Sequence, residues 1–454
     1  MPLARTHPIS VQGRSSRTYG LNRSQKWIWQ MIESLAPDNR HMYLPVRIDI
    51  EDGSSVEIDD VTAGLHDLIA RHEALRTTYA RGERGEQLQM VHGDAEVAAR
   101  VFEAGTQDVE DVCTQVVEEM RALPFLLDLP VRVSLVTRAG RPRILLLQVS
   151  HLSADAWALR LIEQQLRYTL SADSRAVQDS DGGRTSWQPV DQAQHEQGEA
   201  GARRAARALT RWRQQLDRFP ATSFPERHGS EPENPRFAEA RMDSAALAAA
   251  ALALADRHSA TASSVLMAAV LTLLAERSGN GSAGVYTLVA NRLTDDLRDM
   301  VGTAVQYAPV SVETAGRTFP ETVRATWSAM MQSQRSAQYD LDQVEALVRE
   351  VTEDRQGELD VACTINLLNE FDPTAEVAAG PPPSVSEVNE LARHTRFSWD
   401  RGMQQENLKF YMSVRVSPER IALFARGDST VLPSSEMRDL MLGIETLLLE
   451  AMAE

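Results

Sequence analysis

Two residues of complementary chemistry, His151 and Asp155, stand four positions apart in the segment VSHLSADAW at residues 149–157. A neutral imidazole accepts protons or stabilises a developing positive charge near neutral pH, which makes His151 the candidate catalytic residue. Asp155 lies where a carboxylate is favoured by the unpaired N–H groups of a following helix. The alternatives are a histidine that is merely hydrogen-bonded at the end of a strand and an aspartate that only caps the helix.

The pattern around His151 predicts a strand followed by a helix. Residues 144–149 form an apolar run that is typical of a buried strand. Helical spacing begins after Ser153, at Trp157, Leu159, Ile162 and Leu166. His151 is therefore predicted to lie at a strand-to-helix turn. Ser150 is not expected to be a nucleophile, because neighbouring residues that leave a strand point to opposite faces and the chain has no GxSxG elbow.

The rest of the chain repeats this alternation of strand and helix patterns, which predicts an α/β fold. A length of 454 residues exceeds one ordinary hydrophobic core and predicts two domains. The stretch SADSRAVQDSDGGRTS at residues 171–186 is polar and contains two consecutive glycines, as linkers do. We therefore expect an N-terminal lobe at residues 1–178, which carries His151, and a C-terminal lobe at residues 179–454.

The composition restricts the environment and the partners of the chain. A formal net charge of −17 argues against general nucleic-acid binding, which needs a positive field to displace phosphate counterions. The apolar runs are too short for a membrane span, and residues 1–17 lack the apolar stretch of a signal peptide. The chain has two cysteines, Cys113 and Cys363, and both thiols are expected to be free in a reducing cytoplasm.

The sequence lacks the motifs of several other kinds of chemistry. No GxxxxGK[ST] phosphate loop occurs, so the chain is not expected to activate its own substrate with ATP. The segment HEALR at residues 72–76 begins like a zinc-protease helix, but Arg76 stands where the second histidine ligand belongs. The ten histidines show no paired ligand spacing, and no metal is expected.

Several segments resemble motifs of one family, and they occur in that family's order. Residues 149–157 resemble the HHxxxDG active-site motif of nonribosomal peptide synthetase condensation domains. The further matches are LNRSQKWIW at residues 21–29 with an S-x-A-Q helix, RHEALRTTY at 71–79 with RHExLRTxF, PFLLD at 124–128 with PFdL, WRQQL at 212–216 with W-x-x-x-L, ANR at 290–292 with aGR, and VGTAVQY at 301–307 with vGxfvNt. The chain thus resembles the condensation-domain superfamily from about residue 20 to its C-terminus.

The resemblance implies a fold and a set of partners. The fold would be α/β, with two chloramphenicol-acetyltransferase-like lobes in a V-shaped pseudo-dimer and the active-site tunnel between them. The donor would arrive as a thioester on the phosphopantetheine arm of an acyl or peptidyl carrier protein in trans, or on coenzyme A. The acceptor would be a small molecule or would itself be carrier-bound. No cofactor would be bound permanently, and the chain would work as a cytoplasmic monomer without nucleic acid or membrane.

The resemblance also implies roles for single residues. His151 would be catalytic, and Asp155 would support the active site by pairing with Arg292. Arg76 either supports the same active site or is a surface arginine that follows a helix. The motif positions that line the site are Ser150, Ala156 and Trp157. Two of these depart from the motif, since serine replaces the first histidine and alanine replaces the glycine.

These features predict a free-standing condensation enzyme. It would join an acyl or aminoacyl group from a carrier-protein thioester to an amine, in nonribosomal peptide biosynthesis or related secondary metabolism such as antibiotic biosynthesis. Two alternatives stay open. One is an acyltransferase of the same fold that forms esters or takes its donor from coenzyme A, and the other is a catalytically silent module that docks another pathway enzyme.

Overall fold

The computed structural model describes residues 5–37, 39–171, 187–225, 231–356, 359–369 and 383–453, and the chain divides into two compact units. Unit 1 consists of Met1–Arg203 and Ala290–Val305, and unit 2 of Arg204–Val289 and Gln306–Glu454. The predicted lobe boundary at residue 178 falls in the stretch 172–186, which lies outside the described residues, and it stays a prediction.

The first part of the chain alternates strands and helices. Its elements are β1 (Arg5–Val11), β2 (Arg17–Gly20), α1 (Arg23–Ser34), β3 (Tyr43–Asp49), α2 (Ile58–Arg71), β4 (Thr77–Arg81), β5 (Gln87–Val91), β6 (Ala95–Glu103), α3 (Val109–Ala122), β7 (Val131–Arg138), β8 (Arg141–Ser150), α4 (Ala156–Thr169), α5 (Pro189–Gln197) and α6 (Glu199–Leu216). Short 3-10 helices, Arg40–Met42 and Glu73–Arg76, precede β3 and β4.

The second part of the chain continues the alternation. Its elements are β9 (Phe237–Ser244), α7 (Ala245–Arg257), α8 (Ala262–Ser278), β10 (Ser282–Val289), α9 (Asp295–Arg298), β11 (Gln306–Glu313), α10 (Phe319–Ser336), α11 (Leu341–Asp354), β12 (Cys363–Asn369), α12 (Val385–Ala392), β13 (Arg396–Trp399), β14 (Phe410–Val416), β15 (Ile421–Asp428) and α13 (Ser434–Ala453). The segment Ala290–Val305, which contains α9, belongs to unit 1 although the strands that flank it belong to unit 2.

Unit 1 is built on a five-stranded sheet in the order β1-β6-β7-β8-β3. β6 and β7 run parallel, and the other neighbours run antiparallel. Side chains of α2 and α4 pack on one face of the sheet, and those of α3 pack on the other. A smaller sheet, in the order β2-β5-β4, completes the strands of this unit among the described residues.

The apolar run of β8 follows from this two-sided cover. Leu145, Leu147 and Val149 contribute to the core that includes α2 and α4, whereas Ile144 and Leu146 contribute to the core that includes α3. Successive residues of a strand point to opposite faces, so a strand covered on both sides needs apolar residues at nearly every position. The predicted buried strand is therefore confirmed, and it ends directly before His151.

Unit 2 is built on a seven-stranded sheet in the order β11-β10-β12-β14-β15-β9-β13. β12 runs parallel to its neighbours β10 and β14, and the remaining pairs are antiparallel. The Ala- and Leu-rich helices α7, α8 and α13 bury their side chains in the core of this unit. The predicted α/β class is confirmed in both units, while the V-shaped pseudo-dimer and its tunnel stay predictions.

Two further features concern membrane-spanning length and the thiols. Within the described ranges, no single helix is both long and apolar enough to cross a membrane. Helices α7 and α8 reach that length and apolarity only as a pair, and the chain bends by 106° at the break between them. Cys113 and Cys363 are buried free thiols, as predicted.

The strand that leads to His151 provides a test of this packing. Leu147 is 2% exposed, and its truncation to alanine leaves a cavity beside β8. Leu147→Ala is expected to lower the free energy of unfolding by about 2–5 kcal/mol, measured by urea denaturation. Leu126→Ala, at a leucine that is 42% exposed, should change it by about 0.5 kcal/mol or less. Equal losses in the two variants would contradict the assigned core.

Candidate active site

The predicted strand-to-helix turn is confirmed, since β8 ends at Ser150 and α4 begins at Ala156. The turn is closed by its own backbone, because the carbonyl of Ser150 accepts the N–H groups of Ser153 at 2.8 Å and Ala154 at 3.0 Å. The N–H of His151 donates to Met42 O at 2.8 Å, just before β3 begins. His151 is thus held by its backbone at the end of the β3–β8 pair.

The side chain of His151 has one engaged nitrogen and one free nitrogen. Nδ1 lies 2.9 Å from the carbonyl oxygen of Ala154. Because a carbonyl can only accept, Nδ1 carries the hydrogen, and Nε2 of the neutral ring is the unprotonated nitrogen. Within the described part of the chain Nε2 has no hydrogen-bond partner, and it is not among the polar atoms sealed from solvent. The geometry leaves Nε2 as a proton acceptor.

Burial lowers the pKa of His151 below its ordinary value of 6.5. The carboxylate of Asp155 and the hydrogen bond to Ala154 O oppose this shift, and the nearby His41 adds to it. The balance keeps the imidazole neutral near pH 7. A neutral imidazole is the form that a proton acceptor requires.

Asp155 both caps a helix and forms a buried ion pair, so the two sequence-based interpretations apply together. It is 3% exposed and is the N-cap residue of α4, where Oδ1 accepts the N–H of Ala158 at 2.9 Å. Nη2 of Arg292 donates to Oδ1 at 2.9 Å and to Oδ2 at 3.0 Å. Oδ2 also accepts the N–H of Ala304 at 2.9 Å. This one carboxylate therefore connects the active-site turn to the segment Ala290–Val305.

Arg292 completes that connection from the other side. Its guanidinium is buried and donates to three backbone carbonyls besides Asp155, namely those of Leu297 at 2.6 Å, Met300 at 2.6 Å and Gly302 at 2.7 Å. A single nitrogen, Nη2, reaches both carboxylate oxygens, so the pair is not the fork of two parallel bonds that arginine can form. The predicted pairing of Asp155 with Arg292 is present in unit 1.

Two residues allow the Ala290–Val305 segment to fold back on Arg292. Asn291 adopts a left-handed backbone with φ of 57°, and its Nδ2 donates to Ala304 O at 2.8 Å. Asparagine tolerates this conformation better than most residues. Gly302 lies so close to Pro189 that a Cβ would approach its Cγ to 2.9 Å. A side chain at position 302 would therefore disturb the carbonyl that Arg292 binds.

The remaining motif positions lie around the same turn. Ser150 is buried, and its Oγ accepts the N–H of Leu152 at 3.4 Å. Ala156 is the first residue of α4 and is exposed. Trp157 donates from Nε1 to Arg298 O at 2.9 Å, within the same unit. The sequence-predicted residues His151, Asp155 and Arg292 are thus brought together with these three.

Arg76 has a different set of partners. Its Nη1 donates to His92 O at 2.6 Å and to Ser15 O at 3.4 Å, and its Nη2 lies 3.8 Å from Glu73. It is 5% exposed, so it is not a surface arginine. These contacts tie the 3-10 helix before β4 to the small sheet and do not involve the turn that carries His151. A bracing role for Arg76 at the site stays a prediction without a contact behind it.

Several groups that hold the turn have no signal of their own in the sequence. Met42 and Ala304 act through backbone atoms, which any residue would supply. Gln25 and Tyr79 lie in recognised motifs, but their side chains bond to Leu152, 127 and 73 residues away. The one sequence signal that relates the segments of Gln25, Tyr79 and Leu152 is that their motifs occur in the order of a single family.

The described residues form neither a metal site nor a dinucleotide-binding turn. No group of three or more His, Cys, Asp or Glu side chains within them is arranged to hold a metal ion. Gly279, Gly281 and Gly284 have the spacing GxGxxG, but they connect the end of α8 to β10. A dinucleotide fingerprint requires the opposite order, a strand followed by a helix.

Comparison with known proteins gives concordant results. The condensation-domain family model matches residues 15–419. The chain is 28% identical over 306 residues, or 64% of its length, to the probable non-canonical nonribosomal peptide synthetase CymA of Salinispora arenicola. It spans only 4% of the length of that synthetase.

Two solved structures resemble the chain over nearly its whole length. The SgcC5 protein from Streptomyces globisporus matches with a TM-score of 0.70 and 19% identity, over 96% of this chain and 99% of SgcC5. A structure of condensation-domain-mediated chain release from the enacyloxin polyketide synthase matches with a TM-score of 0.70 and 20% identity, over 99% of this chain and 84% of that one. These likenesses confirm the chloramphenicol-acetyltransferase-like fold.

The buried ion pair predicts that the free energy of unfolding falls much more when Arg292 is replaced than when Arg298, in the same segment, is replaced. Arg292→Ala leaves the carboxylate of Asp155 buried and unpaired, and we expect the free energy of unfolding to fall by about 3–5 kcal/mol. Arg298→Ala removes an exposed pair with Asp295 and should cost less than about 1 kcal/mol. Urea denaturation of both variants measures the difference. Similar costs would show that the buried pair does not support the fold.

Proposed function

The chain belongs to the condensation-domain family, and on that basis we propose that it transfers an acyl or aminoacyl group from a carrier-protein thioester to an amine. Members of this family are transferases that generally form amide bonds. One observation carries the proposal for this chain. The Nδ1–H of His151 is engaged by Ala154 O, which leaves Nε2 as a free proton acceptor at the family's active-site turn.

The reaction needs one proton acceptor beside the attacking amine. The amine lone pair attacks the thioester carbonyl carbon, which places negative charge on the oxygen and positive charge on the nitrogen. Nε2 of His151 accepts a proton from that nitrogen. The carbonyl then re-forms, the C–S bond breaks, and the departing sulfur takes the proton from the imidazolium. The products are an amide and a free thiol, and His151 returns to its neutral form.

A histidine with a lowered pKa suits an amine acceptor. An α-amine has a pKa of about 8, so part of it is already unprotonated at neutral pH. The imidazole has only to remove a proton that becomes acidic after attack. An alcohol must lose its proton while it attacks, which asks for a stronger base. The lowered pKa of His151 therefore supports amide formation over ester formation.

Asp155 is proposed to support His151 without exchanging protons with the substrate. Both of its oxygens are occupied by Arg292 and by the N–H groups of Ala158 and Ala304. With these partners the carboxylate has no lone pair directed to a substrate. Its role is to hold the start of α4 and the turn before it.

The proposed donor is the phosphopantetheine arm of an acyl or peptidyl carrier protein that acts in trans. The relationship to nonribosomal peptide synthetases supports this, because such enzymes carry their intermediates on these arms. The arm is a substrate and not a resident cofactor. The acceptor is either a small amine or an amine on a second carrier protein.

Two departures from the motif favour a second candidate, a catalytically silent docking module. Ser150 stands where the motif has its first histidine, and Ala156 adds a methyl group where the motif has glycine.

An ester-forming reaction is the third candidate, since the SgcC5 structure was solved in complex with an alcohol, (R)-(-)-1-(2-naphthyl)-1,2-ethanediol. A substrate panel that contains both amines and alcohols separates these possibilities.

The proposal predicts a specific loss in His151→Ala. With a panel of acyl and aminoacyl pantetheine thioesters and amine acceptors, we expect kcat/KM for amide formation to fall by about 10²- to 10⁴-fold, because the proton acceptor is removed. Product is quantified by mass spectrometry. His66→Ala, at an exposed histidine paired with Asp67, serves as the matched control and should retain activity. Equal rates in wild type and His151→Ala would refute the catalytic role.

The lowered pKa of His151 predicts the acid limb of the pH profile. The neutral imidazole is the active form, so activity is lost only as the pH falls through the folded-state pKa, which burial has moved below 6.5. The pH dependence of kcat/KM, corrected for the measured protonation of the acceptor amine, should therefore show a midpoint below 6.5. A midpoint above 6.5 that disappears in His151→Ala would contradict the assigned environment.

A further inference from the structure

A buried polar cluster lies directly against the turn that carries His151. The hydroxyl of Tyr79, in β4, donates to Leu152 O at 2.9 Å and lies 3.0 Å from Oγ of Ser153. Gln25, in α1, donates from Nε2 to Leu152 O at 3.4 Å. Tyr79 is 3% exposed, and Gln25 and Ser153 are fully buried. The carbonyl next to His151 thus receives hydrogen bonds from two side chains that are distant in the sequence.

Further contacts fix how these groups are oriented. Oε1 of Gln25 accepts the N–H of Asn22 at 2.9 Å in the capping box that begins α1, so Nε2 is the end that faces Leu152. The same Nε2 lies 3.3 Å from Oε1 of Gln89. Burial raises the pKa of Tyr79, so the phenol stays protonated and remains a donor. The cluster is therefore oriented by groups of the chain itself.

The hydroxyl of Tyr79 contributes hydrogen bonds, whereas the packing of this side chain is provided by its ring. A phenylalanine ring would fill the same space, and the motif that residues 71–79 resemble ends in phenylalanine. Removing the oxygen would leave the carbonyl of Leu152 with the longer bond from Gln25 alone. The same oxygen accepts from Nε2 of Gln25 at 3.5 Å, so its removal acts on residues 152 and 153 and on the side chain of Gln25.

Fixing those residues constrains the imidazole. The carbonyl of Leu152 belongs to the planar peptide that joins it to Ser153, so a bond at this oxygen sets the direction in which the chain enters Ser153. The contact of Tyr79 with Ser153 Oγ then restricts the residue that leads into Ala154. Ala154 O is the group that accepts the Nδ1–H of His151 at 2.9 Å. Because that bond determines which ring nitrogen is free, a shift of the carbonyl changes the tautomer as well as the direction of Nε2.

We propose that Tyr79 is a positioning residue for acyl transfer, which holds Leu152 and Ser153 so that His151 keeps Nδ1 protonated and Nε2 free. The inference rests on the proposed function. Removal of the hydroxyl leaves the bond from the His151 N–H to Met42 O and the ion pair of Asp155 in place. The turn is therefore expected to loosen while the fold persists.

The test is Tyr79→Phe in the full chain, read first by a method that needs no substrate. Nuclear magnetic resonance of ¹⁵N-histidine-labelled protein reports the protonation of each ring nitrogen, and the His151 signals are identified by their loss in His151→Ala. In the wild type we expect Nδ1 to carry the hydrogen. In Tyr79→Phe we expect the second tautomer to appear and the titration midpoint of His151 to fall further below 6.5, because the hydrogen bond to Ala154 O, which raises the pKa, is weakened.

Kinetics provide the second measurement. For amide formation, kcat of Tyr79→Phe should fall by about 10- to 100-fold with little change in KM, because the reacting nitrogen is misplaced while substrate binding persists. Tyr339→Phe makes the same chemical change at a buried tyrosine of unit 2 and should alter neither the His151 titration nor kcat.

The possible outcomes separate the inference from the proposed function. A folded Tyr79→Phe with unchanged His151 titration and unchanged kcat overturns the positioning role, even if its free energy of unfolding is lower. If Tyr79→Phe does not fold, Ser153→Ala removes one of the same contacts and should shift the His151 titration midpoint in the same direction by a smaller amount. An unchanged midpoint in Ser153→Ala would also overturn the positioning role. A wild type that is inactive, but whose tautomer responds to Tyr79→Phe, refutes acyl transfer and supports the positioning role.

Discussion

The buried ion pair between Asp155 and Arg292 is the interaction on which the site depends. The two residues are 3% and 6% exposed, and such burial of charge is tolerated where most of the remaining polar atoms are bonded. Of these atoms, Nε of Arg292 is buried without a hydrogen-bond partner among the described residues. Here the carboxylate accepts from two backbone N–H groups, and the guanidinium donates to three backbone carbonyls. As a result, the segment Ala290–Val305 is part of unit 1 although it is enclosed in sequence by strands of unit 2.

The turn around His151 is held from three sides. The ion pair fixes the start of α4, the backbone of His151 bonds to Met42 O before β3, and Tyr79 holds the carbonyl of Leu152. None of these three contacts involves Nε2 of His151. A site that fixes the backbone N–H and Nδ1 of its central residue and leaves Nε2 free needs little rearrangement when a substrate arrives, which is a main source of catalytic rate.

Local patterns were sufficient to predict the strand, the turn and the helix around His151, because a strand covered on both faces and a capped helix leave strong signals. Arg292 is 137 residues from Asp155, and only the resemblance to a family pointed to it. The backbone partners Met42 O and Ala304 N could not be predicted, since backbone atoms have no sequence signature. Composition also could not show that Ala290–Val305 belongs to unit 1, because linker signals mark only boundaries that are continuous in sequence.

The most direct test of the central claim is the stoichiometry of the reaction. Wild-type protein, an acyl-pantetheine thioester and an amine are mixed under single-turnover conditions, and the free thiol and the amide are quantified together. Acyl transfer predicts that thiol and amide appear at the same rate and in equal amounts, and only when the amine is present. Thiol release without amide, or release of neither with any donor and acceptor of the panel, would contradict the account.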